Sequence, residues 1–142
     1  MIMRFFIAIL FLGFFSCKEE NPKYKFSFFN EVDKVVHITF EENDFPRKMT
    51  SKNDTLPKII SSKSISKDSF EDLFELLSED SDNCTLMKCY NPRDILYFYK
   101  KGKKVGYYEF CKECGGSRAS ENLDSLPNFC REKVIVIEAI LN

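Results

Sequence analysis

Five cysteines in the second half of the chain carry the side-chain chemistry that stands out in this sequence. They are Cys84, Cys89, Cys111, Cys114 and Cys130. The first four flank a pattern of two strands, as C-x4-C before it and C-x2-C after it. Thiols at such spacings can form disulfides, hold a metal ion as thiolates, or exchange electrons as a dithiol pair.

Three interpretations of these cysteines stay open. Structural disulfides are favoured, although two disulfides among five cysteines allow about 15 pairings that sequence alone does not resolve. Zinc is the second interpretation, because Cys111-Lys112-Glu113-Cys114-Gly115 is similar to a zinc knuckle. A thiol-redox centre is the third. It is typically found at a helix N-terminus, whereas Gly115-Gly116-Ser117 follows this C-x2-C and disfavours a helix there.

A β-hairpin is predicted to position the cysteines. Residues 95–99 (ILYFY) and 105–110 (VGYYEF) favour strands, and residues 100–103 favour a turn in which Gly102 adopts a positive φ. A hairpin brings its two ends together. We therefore expect a shared cross-link or metal site where Cys84 and Cys89 approach Cys111 and Cys114.

A helix is predicted to begin near Ser66. Its apolar residues recur at i, i+3, i+4 and i+7 and form one stripe that should face the core: Phe70, Leu73, Phe74 and Leu77. Asp68 and Glu71, three residues apart, resemble a capping box.

Further strands are predicted from alternation and from β-branched content. They lie at Tyr24–Phe28, at Val35–Phe40, at Ile59-Ile60 and at Val134–Ile140, whose apolar run suggests a central strand. Turn residues occur at 30–33 and 43–46. The expected fold class is α+β: a small antiparallel sheet with a prominent hairpin and one main amphipathic helix, with cysteine cross-links or metal at the hairpin ends.

No catalytic set is recognisable elsewhere. His37, the only histidine, lies in a strand pattern and is interpreted as structural. Arg93 is a candidate anion-binding residue, with pairing to an acid or capping of carbonyls as the alternative. The 21 basic and 22 acidic residues nearly balance, so no general attraction to nucleic acid is expected.

Residues 1–16 are typical of a signal peptide. One positive charge, Arg4, precedes an apolar run over residues 5–15 that is too short for a stable membrane-spanning helix, which needs roughly 20 apolar residues. The stretch Leu12-Gly13-Phe14-Phe15-Ser16-Cys17 resembles the bacterial lipobox, although Phe14 departs from the usual leucine. The resemblance implies that Cys17 is lipidated and becomes the mature N-terminus. An ordinary signal peptide with an incidental cysteine is the alternative.

The residues after Cys17 suggest a cellular location. Lys18-Glu19-Glu20 resembles the tag of surface-exported lipoproteins in some Gram-negative bacteria, which implies the outer membrane and favours surface exposure over a periplasm-facing orientation. Residues 17–23 then form a lipidated tether, and residues 24–142 form a single domain.

Part of the domain sequence also resembles a known pattern. The stretch from Cys89-Tyr90-Asn91-Pro92-Arg93 to Cys111-x-x-Cys114 resembles a pattern in small bacterial lipoproteins that implies no known activity. The expected function is therefore a membrane-anchored envelope lipoprotein with a non-enzymatic binding or structural role, whose ligand or protein partner the sequence does not identify. The alternative is a thiol-redox or zinc-binding protein that uses the cysteines flanking the hairpin.

Overall fold

A five-stranded antiparallel sheet forms the centre of the domain. The computed structural model describes residues 23–41 and 58–142, and in it the strands follow the spatial order β2-β1-β3-β4-β5. Their bounds are β1 Lys34–Phe40, β2 Ile59–Ser64, β3 Asp94–Lys100, β4 Lys103–Phe110 and β5 Ser117–Ala119. Two helices, α1 (Phe70–Ser78) and α2 (Val134–Leu141), complete the domain and confirm the α+β class.

The hairpin of β3 and β4 is confirmed. Asp94 pairs with Phe110 at its open end, and Lys101 and Gly102 form the turn at its closed end. Gly102 adopts a φ of +75°, which a residue without a Cβ reaches at little cost. Tight local geometry and strong strand propensity together explain why this element was predictable.

Helix α1 buries the predicted apolar stripe. Phe70, Leu73, Phe74 and Leu77 are all buried, and Phe74 stacks on Phe29 with ring centroids 4.3 Å apart. The predicted capping box is wrong, because α1 follows directly on a 3-10 turn at Lys67–Ser69. That turn is capped instead by Ser66, whose Oγ accepts a hydrogen bond from the Asp68 N–H at 3.3 Å.

The strand predicted at Tyr24–Phe28 is wrong. The structure has a 3-10 helix at Ser27–Glu31, so the predicted hairpin turn at 30–33 is also wrong. Asn30 Oδ1 accepts hydrogen bonds from the N–H groups of Lys23 and Tyr24, which closes the segment on itself. Phe26 and Phe28 pack edge-on against buried Phe29, and Phe28 also contacts Phe98 of β3, so these rings join the core from outside the sheet.

The strand predicted at Val134–Ile140 is also wrong, because these residues form α2. The helix buries Ile137 and Leu141, which are four residues apart and share one helical face. Lys133, just before α2, donates hydrogen bonds from its Nζ to the carbonyls of Leu76 and Glu79 at the end of α1. These contacts hold α2 against α1. The tertiary contacts of the helix thus outweigh the strand propensity of its β-branched residues.

Some predictions fall outside the described residues: the leader, Cys17, Lys18-Glu19-Glu20 and the turn at 43–46. The strand predicted at Ile59-Ile60 is the start of β2, whose residues are all exposed. Within residues 23–41 and 58–142, no helix has the length and apolar content required to cross a bilayer.

Candidate functional site

A disulfide joins Cys84 to Cys130. Cys84 lies in the loop after α1, and Cys130 directly precedes the 3-10 turn that leads into α2. The bond therefore ties together two segments that are 46 residues apart. The partner of Cys84 is thus Cys130, the one cysteine of the five that does not flank the hairpin. The hairpin geometry predicts that Cys84 lies near Cys111 and Cys114.

The other three cysteines form a cluster of thiols. The thiols of Cys89 and Cys111 lie close enough to the Cys114 thiol to raise its pKa. Cys111 and Cys114 are buried, whereas Cys89 is exposed. The expected cross-link among the four flanking cysteines is therefore wrong: three of them are free thiols that lie near one another, and Cys84 is bonded to Cys130 instead. We call Cys89, Cys111 and Cys114 the thiol cluster.

A tight turn after β4 holds the two buried thiols. The N–H of Cys114 donates to Cys111 Sγ at 3.2 Å, and the N–H of Gly115 donates to the Cys111 carbonyl at 3.0 Å. Gly115 has a φ of +72°, and a Cβ there would lie 2.7 Å from the Thr85 carbonyl oxygen. The C-x2-C therefore needs this glycine, and it leads into β5 rather than into a helix.

Contacts from two neighbouring residues hold the segment that carries Cys89. The Met87 N–H donates to the Cys114 carbonyl at 2.8 Å. Tyr90 donates its hydroxyl to Glu109 Oε1 at 3.0 Å, and the Arg118 guanidinium lies 4.7 Å from the Tyr90 ring centroid. Burial is the main reason that the pKa of Glu109 is raised above its ordinary value.

The electrostatics of the thiol cluster favour the protonated thiol. Burial raises the pKa of Cys114 well above its ordinary value, and the neighbouring thiols of Cys89 and Cys111 raise it further. Nucleophilic cysteines need the opposite, a pKa lowered by a nearby cation or a helix N-terminus. Cys114 is therefore unsuited to make the first attack on an external disulfide.

The zinc interpretation requires a set of ligands around one point. Among the described residues, no group of three or more His, Cys, Asp or Glu side chains has an arrangement that could hold a metal ion. The knuckle-like sequence at Cys111–Cys114 forms the hydrogen-bonded turn described above.

A second polar cluster lies beside the thiols, where β1 and β3 run side by side. His37 Nε2 donates to Asp94 Oδ1 at 2.7 Å, and Lys112 Nζ lies 3.2 Å from the same oxygen. Lys112 also approaches Glu138 of α2 at 3.8 Å. His37 and Asp94 are buried, which fits the structural role expected for His37. The Asp94–Lys112 contact was missed, because a lone aspartate at a strand start carries no sequence signal of its partners.

A pocket of about 530 Å³ opens beside both clusters. Charged residues of both signs line it, and Cys111 is part of its wall. Arg93, the candidate anion-binding residue, lies in this wall and is hydrogen-bonded to Glu113. A pocket of mixed charge suits a polar ligand better than a simple anion.

Acid should weaken the fold through Asp94. Burial alone would raise the pKa of Asp94, but the hydrogen bond from His37 and the charge of Lys112 outweigh it and hold the pKa below its ordinary value. The charged carboxylate thus stabilises the folded state above about pH 4, and this contribution is lost as the pH falls through the lowered pKa. We expect Asp94→Asn to lower the free energy of unfolding by about 2 kcal/mol at pH 7. Urea unfolding at a series of pH values should also show a smaller loss of stability between pH 5 and 2 for the variant than for the wild type.

The matched control is Asp124→Asn, which removes the same charge from an exposed position. Its unfolding free energy should follow the wild-type pH curve. An Asp94→Asn variant with a wild-type acid limb would show that this carboxylate contributes nothing to the acid sensitivity.

Comparison with known proteins adds no assignment. No protein-family model matches the chain, and neither the curated proteins nor the solved structures contain a significant match to it.

Proposed function

We propose that this chain is an envelope lipoprotein, held on the outer membrane by lipid on Cys17, whose domain has a non-enzymatic binding or structural role. The Cys84–Cys130 disulfide carries the proposal, because structural disulfides persist in oxidising compartments and are rare in the cytosol. A cysteine placed directly after a short apolar leader fits lipid attachment in such an exported chain. Growth of cells with alkyne-tagged palmitate tests the anchor, and the wild-type protein should incorporate the tag.

The state of the polar clusters supports a non-enzymatic role. Burial and thiol neighbours keep Cys114 protonated, and His37 is bonded to a buried carboxylate. Both groups have local partners that give them structural roles. The pocket of mixed charge beside Cys111 is the surface that we propose for a polar ligand or a peptide partner.

The side of the outer membrane on which the lipoprotein lies depends on Lys18-Glu19-Glu20. Replacing all three residues with alanine should move the protein from the cell surface to the inner side of the outer membrane. Protease shaving of intact cells measures this: we expect the wild type to be cleaved and the variant to be protected, with near-complete loss of cleavage.

A variant that keeps charge at the same positions, Lys18→Arg with Glu19→Asp and Glu20→Asp, serves as the control and should stay accessible. Equal cleavage of the wild type and the triple-alanine variant would refute the tag and leave the lipid anchor intact.

The second candidate function is thiol-disulfide exchange. It is favoured by one observation, the proximity of exposed Cys89 to the buried Cys114 thiol, whose pKa Cys89 raises. Attack by Cys89 on a low-molecular-weight disulfide would give a mixed disulfide and release one thiol. Cys114 would then displace the second thiol, so the protein would lose two hydrogens and the small disulfide would be reduced to two thiols.

Oxidised glutathione tests the second candidate. It should convert Cys89 and Cys114 to a disulfide, lower the intact mass of the protein by about two units, and block maleimide labelling of Cys89. Cys89→Ser should prevent the change in mass, whereas Lys88→Ser, an exposed neighbour, should not. A wild-type protein that keeps its mass and its Cys89 label in excess oxidised glutathione would remove this candidate.

A further inference from the structure

Helix α2 presents an apolar face to solvent. Ile135 is 82% exposed and Val136 is 50% exposed. Ala139 is also exposed, and Ile140 is half-buried. Ile137 and Leu141 already anchor the opposite face of α2 in the core. Ile135, Val136 and Ala139 are exposed, whereas Ile140 packs against the edge of the core and continues the apolar face inward.

The N-terminal segment of the domain lies beside this face. Lys23, Tyr24 and Lys25 line one groove together with Val136, Ala139 and Ile140. Lys25 is held there by a hydrogen bond from its Nζ to the Ser78 carbonyl at 3.4 Å. The chain thus enters the domain next to the exposed face of α2.

The length of the tether limits how far this entry point can be from the anchor. Six residue steps separate Cys17 from Lys23 in the sequence. A fully extended chain advances at most about 3.5 Å per residue, so the reach is about 20 Å. Such a reach is shorter than the roughly 35 Å diameter of a compact domain of about 120 residues. A face next to the entry point is therefore held near the lipid surface.

We propose that the outer face of α2, formed by Ile135, Val136, Ala139 and Ile140, docks on the bilayer that holds the lipid of Cys17. This inference rests on the proposed lipid anchor. The tether keeps the face at a high effective concentration at the membrane, so a weak apolar contact suffices. Tyr24 lines the same groove and packs edge-on against Phe74 of α1, and its amphipathic ring is of the kind enriched in the headgroup region.

The charge of the residues beside this face determines which lipid headgroups it can approach. Acidic residues from α1 and the loop after it line the same groove: Glu71, Asp72, Glu75, Glu79 and Asp80. Lys23, which pairs with Glu71 at 3.2 Å, and Lys25 offset only part of this charge. The surface is therefore suited to zwitterionic headgroups, and anionic headgroups should weaken the contact.

Tryptophan quenching tests the docking, because the chain contains no tryptophan of its own. The full-length lipidated Val136→Trp variant is reconstituted in phosphatidylcholine vesicles that contain brominated acyl chains. The control is Met87→Trp, whose native side chain is also 50% exposed but does not line the groove. We expect quenching about twofold stronger for Val136→Trp than for Met87→Trp, and a decrease when Ile135→Ser is added or when phosphatidylglycerol is included.

The outcomes separate the docking from the anchor. Flotation of both variants with the vesicles tests the anchor, whereas the quenching difference tests the docking. Flotation with equal quenching of the two variants would overturn the docking and leave the anchor intact. A shift of the Val136→Trp emission with protein concentration in the absence of vesicles would assign the face to a second copy and would also overturn the proposal.

Discussion

Cys17→Ala should abolish lipid labelling and leave the protein either as an unprocessed precursor or in the soluble fraction. The lipobox resemblance implies two or three acyl chains on this one cysteine. Each buried methylene contributes roughly 0.8 kcal/mol to membrane binding, so removing the attachment point removes essentially all of the anchor. Labelling with alkyne-tagged palmitate, followed by cell fractionation, measures both effects.

Cys89→Ala is the matched control for this prediction, because it removes a different cysteine of the same chain, one whose side chain is exposed. It should keep both the label and the membrane location of the wild type. Unchanged lipid labelling in Cys17→Ala would refute the lipoprotein assignment. Loss of labelling in both variants would show that the label depends on export or folding rather than on Cys17.

Removal of the Cys84–Cys130 disulfide should cause the largest loss of stability in the domain. The bond closes a loop between residues 46 apart, and constraint of a loop this long is worth about 4 kcal/mol in the chain-entropy description, within a typical range of about 2–4 kcal/mol. This is a large share of the roughly 5–15 kcal/mol of a small domain. We expect the Cys84→Ala/Cys130→Ala double variant to melt on the order of 10 °C lower.

The double variant is preferred to either single one, because a single replacement leaves a thiol that can react with the thiol cluster. Thermal unfolding under non-reducing conditions is the measurement, and Cys89→Ala again serves as the control, with little change expected at an exposed position. Reductant should lower the melting temperature of the wild type toward that of the double variant and leave the double variant unchanged. A double variant as stable as the wild type would show that the Cys84–Cys130 disulfide does not stabilise the fold.

Elements whose signals are local were predictable from the sequence. The spacing of Phe70, Leu73, Phe74 and Leu77 places one face of α1 toward the core wherever the helix packs. The hairpin of β3 and β4 depends on strand propensity and on Gly102 at its turn, all within one short segment. Gly115 after the C-x2-C likewise predicted a turn rather than a helix.

The candidate site was predictable only in part. The hairpin argument predicted that Cys89 lies near Cys111 and Cys114, because these residues flank the hairpin closely in sequence, but it did not predict that all three are free thiols. It failed for Cys84, since its partner Cys130 approaches through the docking of α2 and carries no local signal. The bond between His37 and Asp94 likewise depends on which strands become neighbours, and adjacent strands β1 and β3 are far apart in sequence.

The sequence by itself determined the α+β composition of this domain, its central hairpin and the core-facing stripe of α1, because periodicity and turn chemistry act within a contiguous segment. Only the tertiary structure decided that residues 134–141 form a helix, since contacts of Ile137, Leu141 and Lys133 with the rest of the domain outweigh the strand propensity of a β-branched run. It also decided which thiols are bonded and which stay free. Disulfide pairing depends on the distance between segments after folding, and that distance is a property of the packed chain rather than of any stretch within it.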